Sequence, residues 1–234
     1  MSQDHKNRLA ELDSLKALAL VMMLVSNFVS DLNFFKIMEV SKGDSWWYLA
    51  RTTAFLFVSI SGVSYYLANR QNTDFRIVLK RTKKLFLWAL AITVITYFFQ
   101  PEAYIRFGVL HLLALASIVA FPFVKKPFFG FLIGLILFSL PMSSEPLTVW
   151  FGLRETGFFA VDYFPLNPWL GLFFISMAFA KFIYPEGKAL TTIFWPQKWL
   201  WLGRNTLSIY VFHQPFLIAT LLVTGVVTFD QILD

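Results

Sequence analysis

The chain has 234 residues, of which 57% are hydrophobic and 15% charged, with a mean hydropathy of +0.62, a net charge of +6 and no cysteine. A soluble domain is about 45–50% apolar and about 25% charged, and surface-to-volume scaling stops a chain of this length from hiding the surplus in one core. These values exclude a disordered, collagenous, coiled-coil or disulfide-stapled protein, remove thiolate metal sites and Cys nucleophiles, and point to an integral membrane protein.

About 20 consecutive apolar residues cross a bilayer. Taken in order, such runs predict seven spans, near 15–35, 46–69, 84–100, 107–124, 127–141, 167–184 and 199–224. Lipid tolerates only helices or closed barrels, and continuous apolar runs select helices. The expected fold is therefore an all-α bundle of about seven transmembrane helices in a single domain, 1–234, multi-pass in the cell membrane. Mixed charges precede the first run and no small-residue cleavage site follows it, so no cleavable signal is expected. The longest connection, 142–166, carries Pro146, Gly152, Gly157 and Pro165. A loop of that length in a bundle is often functional.

Basic residues in short loops set orientation. The segment 70–84 holds Arg70, Arg76, Lys80, Arg81, Lys83 and Lys84 against a single Asp74. Placing it in the cytoplasm puts fifteen of the twenty basic residues on that side, with the N-terminus inside and the C-terminus outside.

An ionisable side chain at the centre of a spanning helix costs roughly 2.5–3.5 kcal/mol on insertion scales, so such residues mark a structural pair or a site. Asn27 and Asp31 are four residues apart and share a helix face, which fits either helix–helix packing or a site. Arg51 opens the second span beside Trp47 and Tyr48. It either snorkels beside an aromatic belt or pairs with Asp31 or Asp162. His111 lies in "RFGVLHLLALAS" and His213 in "RNTLSIYVFHQP", where Thr206, Tyr210 and His213 fall on one stripe. Pro215 frees a helix carbonyl near His213, and that carbonyl is positioned to anchor one imidazole nitrogen and set its tautomer. Asp162 opens "DYFPLNPWLG", where two prolines and the aromatics read as a belt with a cap. Asn27, Asp31, Arg51, His111, Asp162 and His213 all map to the outer half of the bundle. No metal-ligand spacing, phosphate loop or nucleic-acid signature is present, so neither a metal nor a nucleic-acid partner is expected. The oligomeric state stays open, a homo-oligomer included.

Five segments resemble the transmembrane acyltransferases related to heparan-α-glucosaminide N-acetyltransferase, in the DUF1624-like prokaryotic branch. They are "RLAELDSLKALALVMMLVSNFVSDLNFF" (8–35), "WWYLARTTAFLFVSISGVS" (46–64), "RFGVLHLLALASI" (106–118), "DYFPLNPWLGLFF" (162–174) and "LGRNTLSIYVFHQPFL" (202–217). The resemblance implies transfer of an acetyl or similar acyl group from cytoplasmic acyl-CoA to a sugar amine or hydroxyl on the outer side. It carries functional weight onto His111, Asp162, His213, Asp13, Asp31 and Arg51. The family pattern reads Arg-Gly where this chain has Lys16-Ala17. It usually has His where this chain has Asn27, and loop 36–45 holds no His in its place.

Acyl transfer from a thioester needs a base for the acceptor proton and donors for the oxyanion. With the first-helix His absent, either His213 or His111 serves as base, or the chain kept the fold without the chemistry, as a carrier or a glycan-pathway assembly partner. Asn27 suits the oxyanion or the thioester carbonyl, Asp162 or Asp31 an imidazole or sugar hydroxyls, and Arg51 and Tyr210 substrate contacts. The phosphates of coenzyme A match Lys83, Lys84 and Arg204 in the basic cluster, which also serves topology alone.

The absence of cysteine gives a direct test of orientation. Cys at Ser144 should react with an impermeant thiol reagent in intact cells and Cys at Asn72 should not. The reverse pattern inverts the bundle.

Overall fold

The computed structural model describes residues 9–72, 74–141, 151–152 and 162–228. Most of the 142–166 loop, including Ser144, lies outside the described residues, as do Lys6 and Arg8. The described residues form eight α-helices and no strand: α1 Ala10–Phe34, α2 Ser45–Asn69, α3 Phe75–Phe99, α4 Val109–Val119, α5 Pro127–Ser139, α6 Leu166–Ile183, α7 Gln197–Arg204 and α8 Thr206–Val223. Of these, α1, α3, α6 and α8 are long and apolar enough to cross a membrane, and α4 and α5 are shorter apolar helices. Phe98 and Phe99 at the end of α3 stay 77% and 68% exposed, which is a liability in water and ordinary contact in lipid.

Eight helices stand where seven were expected, because the run 199–224 breaks at Asn205. The Asn205 side-chain amide donates to the Trp201 carbonyl at 2.8 Å and the Thr206 hydroxyl to the Gly203 carbonyl at 2.8 Å. Polar side chains thus take up the last carbonyls of α7, and a new helix starts. At 8 residues α7 is about 12 Å long, too short to span a bilayer.

Two helices begin earlier than their apolar runs. Helix α3 starts at Phe75 because Asp74 caps it, its Oδ1 accepting from Arg76 N at 2.8 Å. Lys80, Arg81, Lys83 and Lys84 are therefore helical, not loop residues as the sequence suggested. Helix α1 starts at Ala10, so Glu11 and Asp13 lie within its first turn.

The chain forms two compact units, residues 1–57 with 188–234, and residues 58–187. In the first unit the segment after residue 188 returns to the start of α1. Glu11 accepts from Leu190 N, Thr191 N and the Thr191 hydroxyl at 2.9–3.1 Å. Trp199 Nε1 donates to Ser14 Oγ at 2.8 Å, and Arg204 Nε pairs with Asp13 Oδ2 at 3.1 Å. Charges that looked like a flank of the first span are thus buried and satisfied.

In the second unit α5 and α6 meet backbone to backbone. A Cβ on Gly134 would lie 2.9 Å from the Gly171 carbonyl, and one on Gly171 would lie 2.7 Å from the Gly134 carbonyl. Gly130 and Gly134 form a G-x-x-x-G spacing that permits such an approach in a membrane. Phe107, Phe173, Phe174, Leu112 and Met177 are fully buried there. The Tyr65 hydroxyl donates to the Ser117 carbonyl, and its ring lies against Phe173 at 5.5 Å.

Gly203 faces the Asp13 backbone so closely that any Cβ there would collide with the Asp13 carbonyl. Gly203→Ala should destabilise the α1–α7 contact by about 1–3 kcal/mol, the usual cost of overpacking. The readout is a lowered melting temperature in detergent. An unchanged melting temperature would mean that α7 is not held against α1.

Candidate active site

Within the first unit, α1 and α8 bring four polar residues together in two pairs. Asn27 Nδ2 lies 2.6 Å from His213 Nε2, and Gln214 Nε2 donates to Asp31 Oδ1 at 2.6 Å. Asn27 and Asp31 are one helical turn apart on α1, and His213 and Gln214 are consecutive on α8. The segments 8–35 and 202–217, both carriers of the family resemblance, therefore meet along one contact.

The hydrogen bonds determine the tautomer of His213. Its Nδ1 is 2.5 Å from the Tyr210 carbonyl, which can only accept, so Nδ1 carries the proton. Nε2 then holds the lone pair, and the Asn27 amide donates to it. A helix carbonyl anchors the imidazole, but it belongs to Tyr210 rather than to the residue four before Pro215. The Tyr210 ring lies 5.5 Å from the imidazole and 6.1 Å from the Phe57 ring. The Thr206 hydroxyl turns to the carbonyls of α7 and takes no part.

His111 and Asp162 meet in the second unit, at the N-terminus of α4. Gly108 N donates to His111 Nδ1 at 3.2 Å, and Val109 N donates to Asp162 Oδ2 at 3.2 Å. With Nδ1 accepting, His111 Nε2 carries the proton and faces Thr93 Oγ1 at 3.4 Å, while the Thr93 hydroxyl donates to the Ile105 carbonyl at 2.7 Å. Both side chains satisfy N–H groups that the first turn of a helix leaves open, and the Asp162 carboxylate sits at the positive end of the α4 dipole. Phe107 stacks on His111 at 5.6 Å, and Phe164 N donates to the Phe107 carbonyl at 2.9 Å. The motifs around 107–111 and 162–164 thus lock together as a helix cap.

Arg51 is exposed, with its guanidinium 5.4 Å from the centre of the Trp47 ring. Of its two expected partners, Asp31 accepts through Oδ1 from Gln214 and Asp162 accepts through Oδ2 from Val109 N. Arg204, an expected phosphate ligand, holds Asp13 through Nε. Lys83 and Lys84 line an open groove of about 450 Å³ on α3, together with Lys80, Leu87, Trp88 and Ala91. These positions recur at three- and four-residue spacing on one helix face. Among the described residues no group of three His, Cys, Asp or Glu side chains is placed to hold a metal.

Two neighbours of the expected residues were not visible in the sequence. Gln214 follows His213 directly, yet nothing marked it until its amide was found on Asp31. Trp88 sits one turn beyond Lys84, a spacing that the positions alone contain.

No curated protein and no solved structure matches the chain. A family model does, described as heparan-alpha-glucosaminide N-acetyltransferase, catalytic, and it matches residues 8–215. That range takes in Asp13, the Asn27–His213 and Asp31–Gln214 pairs, and the α4 cap. With apolar helices long enough to cross a bilayer and a match running from Arg8 to Pro215, the chain belongs to the heparan-alpha-glucosaminide N-acetyltransferase catalytic family of membrane acetyltransferases.

Proposed function

We propose that this protein transfers an acetyl group from cytoplasmic acetyl-CoA to a sugar amine or hydroxyl on the outer side of the cell membrane. The observation that carries the reading is the Asn27–His213 hydrogen bond, because it leaves His213 neutral at Nε2 with a lone pair available in exchange for one amide contact. An acceptor N–H or O–H takes the place of the Asn27 amide. Its proton passes to Nε2 as the acceptor atom attacks the thioester carbonyl carbon. The displaced Asn27 amide donates to the oxyanion without bringing a charge into a low-dielectric site. Collapse breaks the C–S bond, forms the amide or ester, and returns the proton from the imidazolium to the leaving thiolate. His213 acts as base and then acid, and the Tyr210 carbonyl stabilises the imidazolium between the two steps.

For the donor, the groove on α3 offers the complementary chemistry. Lys80, Lys83 and Lys84 supply ammonium groups for phosphates, and Leu87, Trp88 and Ala91 supply an apolar and aromatic surface. Arg204 contributes less to this role than Lys83 and Lys84, since its Nε is held by Asp13.

The decisive assay uses detergent-solubilised protein, radiolabelled acetyl-CoA and a panel of amino sugars. His213→Ala should lower turnover by about 10²–10⁴-fold, the usual contribution of a general base, and should leave acetyl-CoA binding intact. Near-parental turnover in His213→Ala with loss in His111→Ala would move the base to His111. A protein that binds acetyl-CoA and acylates no acceptor would be a carrier.

The donor side is tested separately. Lys83→Glu with Lys84→Glu should weaken acetyl-CoA binding, and parental affinity should fall with added salt because exposed charges are screened over about 8 Å at physiological ionic strength. Unchanged affinity in the double variant would leave the cluster a topological role alone.

A further inference from the structure

Along the contact between α1 and α8, each ionisable side chain meets a carboxamide from the opposite helix. Asn27 of α1 donates to His213 of α8, and Gln214 of α8 donates to Asp31 of α1. The two pairs differ in what they leave over. Both nitrogens of His213 are engaged, whereas Asp31 Oδ2 is buried and accepts from no described residue. Asp31 itself is only 8% exposed. A buried carboxylate oxygen without a donor is costly and calls for a partner.

We infer that Gln214 is a positioning residue of the acceptor site: it holds the Asp31 carboxylate through Oδ1 and so reserves Oδ2 for an O–H or N–H of the acceptor sugar. This assignment rests on the acyl-transfer reading, in that it takes a sugar to bind beside His213. Three features support it. The rise from Asn27 to Asp31 is about 6 Å, comparable with one sugar ring, so one monosaccharide can touch Asp31 with one group and His213 Nε2 with another. Asp31 lies in the last turn of α1, which ends at Phe34, and Asn33, Phe34, Lys36 and Ile37 just beyond it are exposed. A polar ligand therefore has one helical turn to cross. Gln214 adjoins His213 in sequence, so the residue that holds the binding carboxylate and the residue that takes the proton move together on α8.

The test uses the full chain in detergent with glucosamine as the probe. Calorimetric titration should show saturable binding to the parent and about tenfold weaker binding to Gln214→Ala, the scale of one lost hydrogen bond to a charged group. In transfer from acetyl-CoA the same variant should raise KM for glucosamine about tenfold, with kcat little changed. If Gln214→Ala does not fold, the isosteric Gln214→Glu carries the same test. It puts a second carboxylate against Asp31 and should weaken binding at least as much. Saturable binding to the parent that weakens in Gln214→Ala, with no transfer to glucosamine in either, would overturn the acyl-transfer reading and leave Gln214 a positioning residue of a sugar-binding site. Unchanged glucosamine affinity and KM in a folded variant, or a loss confined to kcat, would overturn the Gln214 assignment. So would a parent that binds no glucosamine.

Discussion

The first turn of α1 is where this protein solves its hardest local problem. Glu11, Asp13 and Ser14 are polar and buried, at the start of a helix apolar enough to cross a membrane. They are affordable there only because the chain returns after residue 188 and supplies a donor for each: backbone N–H groups and a hydroxyl for Glu11, the Arg204 guanidinium for Asp13, and the Trp199 indole for Ser14. The same return brings α7 against α1 at Gly203 and delivers α8 to the C-terminal half of α1. The Asn27–His213 and Asp31–Gln214 pairs follow from that alignment, so the proposed chemistry depends on contacts at the opposite end of the helix.

Carboxamides suit the positions they occupy. A neutral amide can be buried without the desolvation cost of a charge, yet its N–H bonds gain strength where the local dielectric is low. Asn27 and Gln214 therefore hold an imidazole and a carboxylate in fixed orientations; in the proposed reaction Asn27 yields its place to the acceptor at little electrostatic cost, while Gln214 stays on Asp31.

Much of the fold could be read from hydropathy, and the failures have physical causes. Apolar runs located every long helix. They misplaced the starts of α1 and α3 because helices continue through charged turns when those charges are paired or capped, as Asp13 and Asp74 demonstrate. The run 199–224 read as one span because hydropathy is blind to Asn205 and Thr206 taking up the carbonyls of α7. At the site, cost at membrane depth singled out Asn27, Asp31 and His213 individually. Which of them touch is set by long-range packing, so the Asn27–His213 bond and the role of Gln214 were out of reach. His111 and Asp162 attracted attention by the same argument of cost. The hydrogen bonds they accept from Gly108 N and Val109 N show that helix-end donors help to account for polar residues in such places.

The two carboxylates that fasten the start of α1 differ in kind. Asp13 is held by a guanidinium whose side chain is 34% exposed, so counterions compete for that contact. At residues 190–191 Glu11 instead meets neutral donors, two backbone N–H groups and a hydroxyl, for which dissolved ions are poor competitors. Rising ionic strength therefore loosens the grip on α7 while sparing that on residues 190–191. The returning chain stays tethered to α1 under conditions that free its helical part.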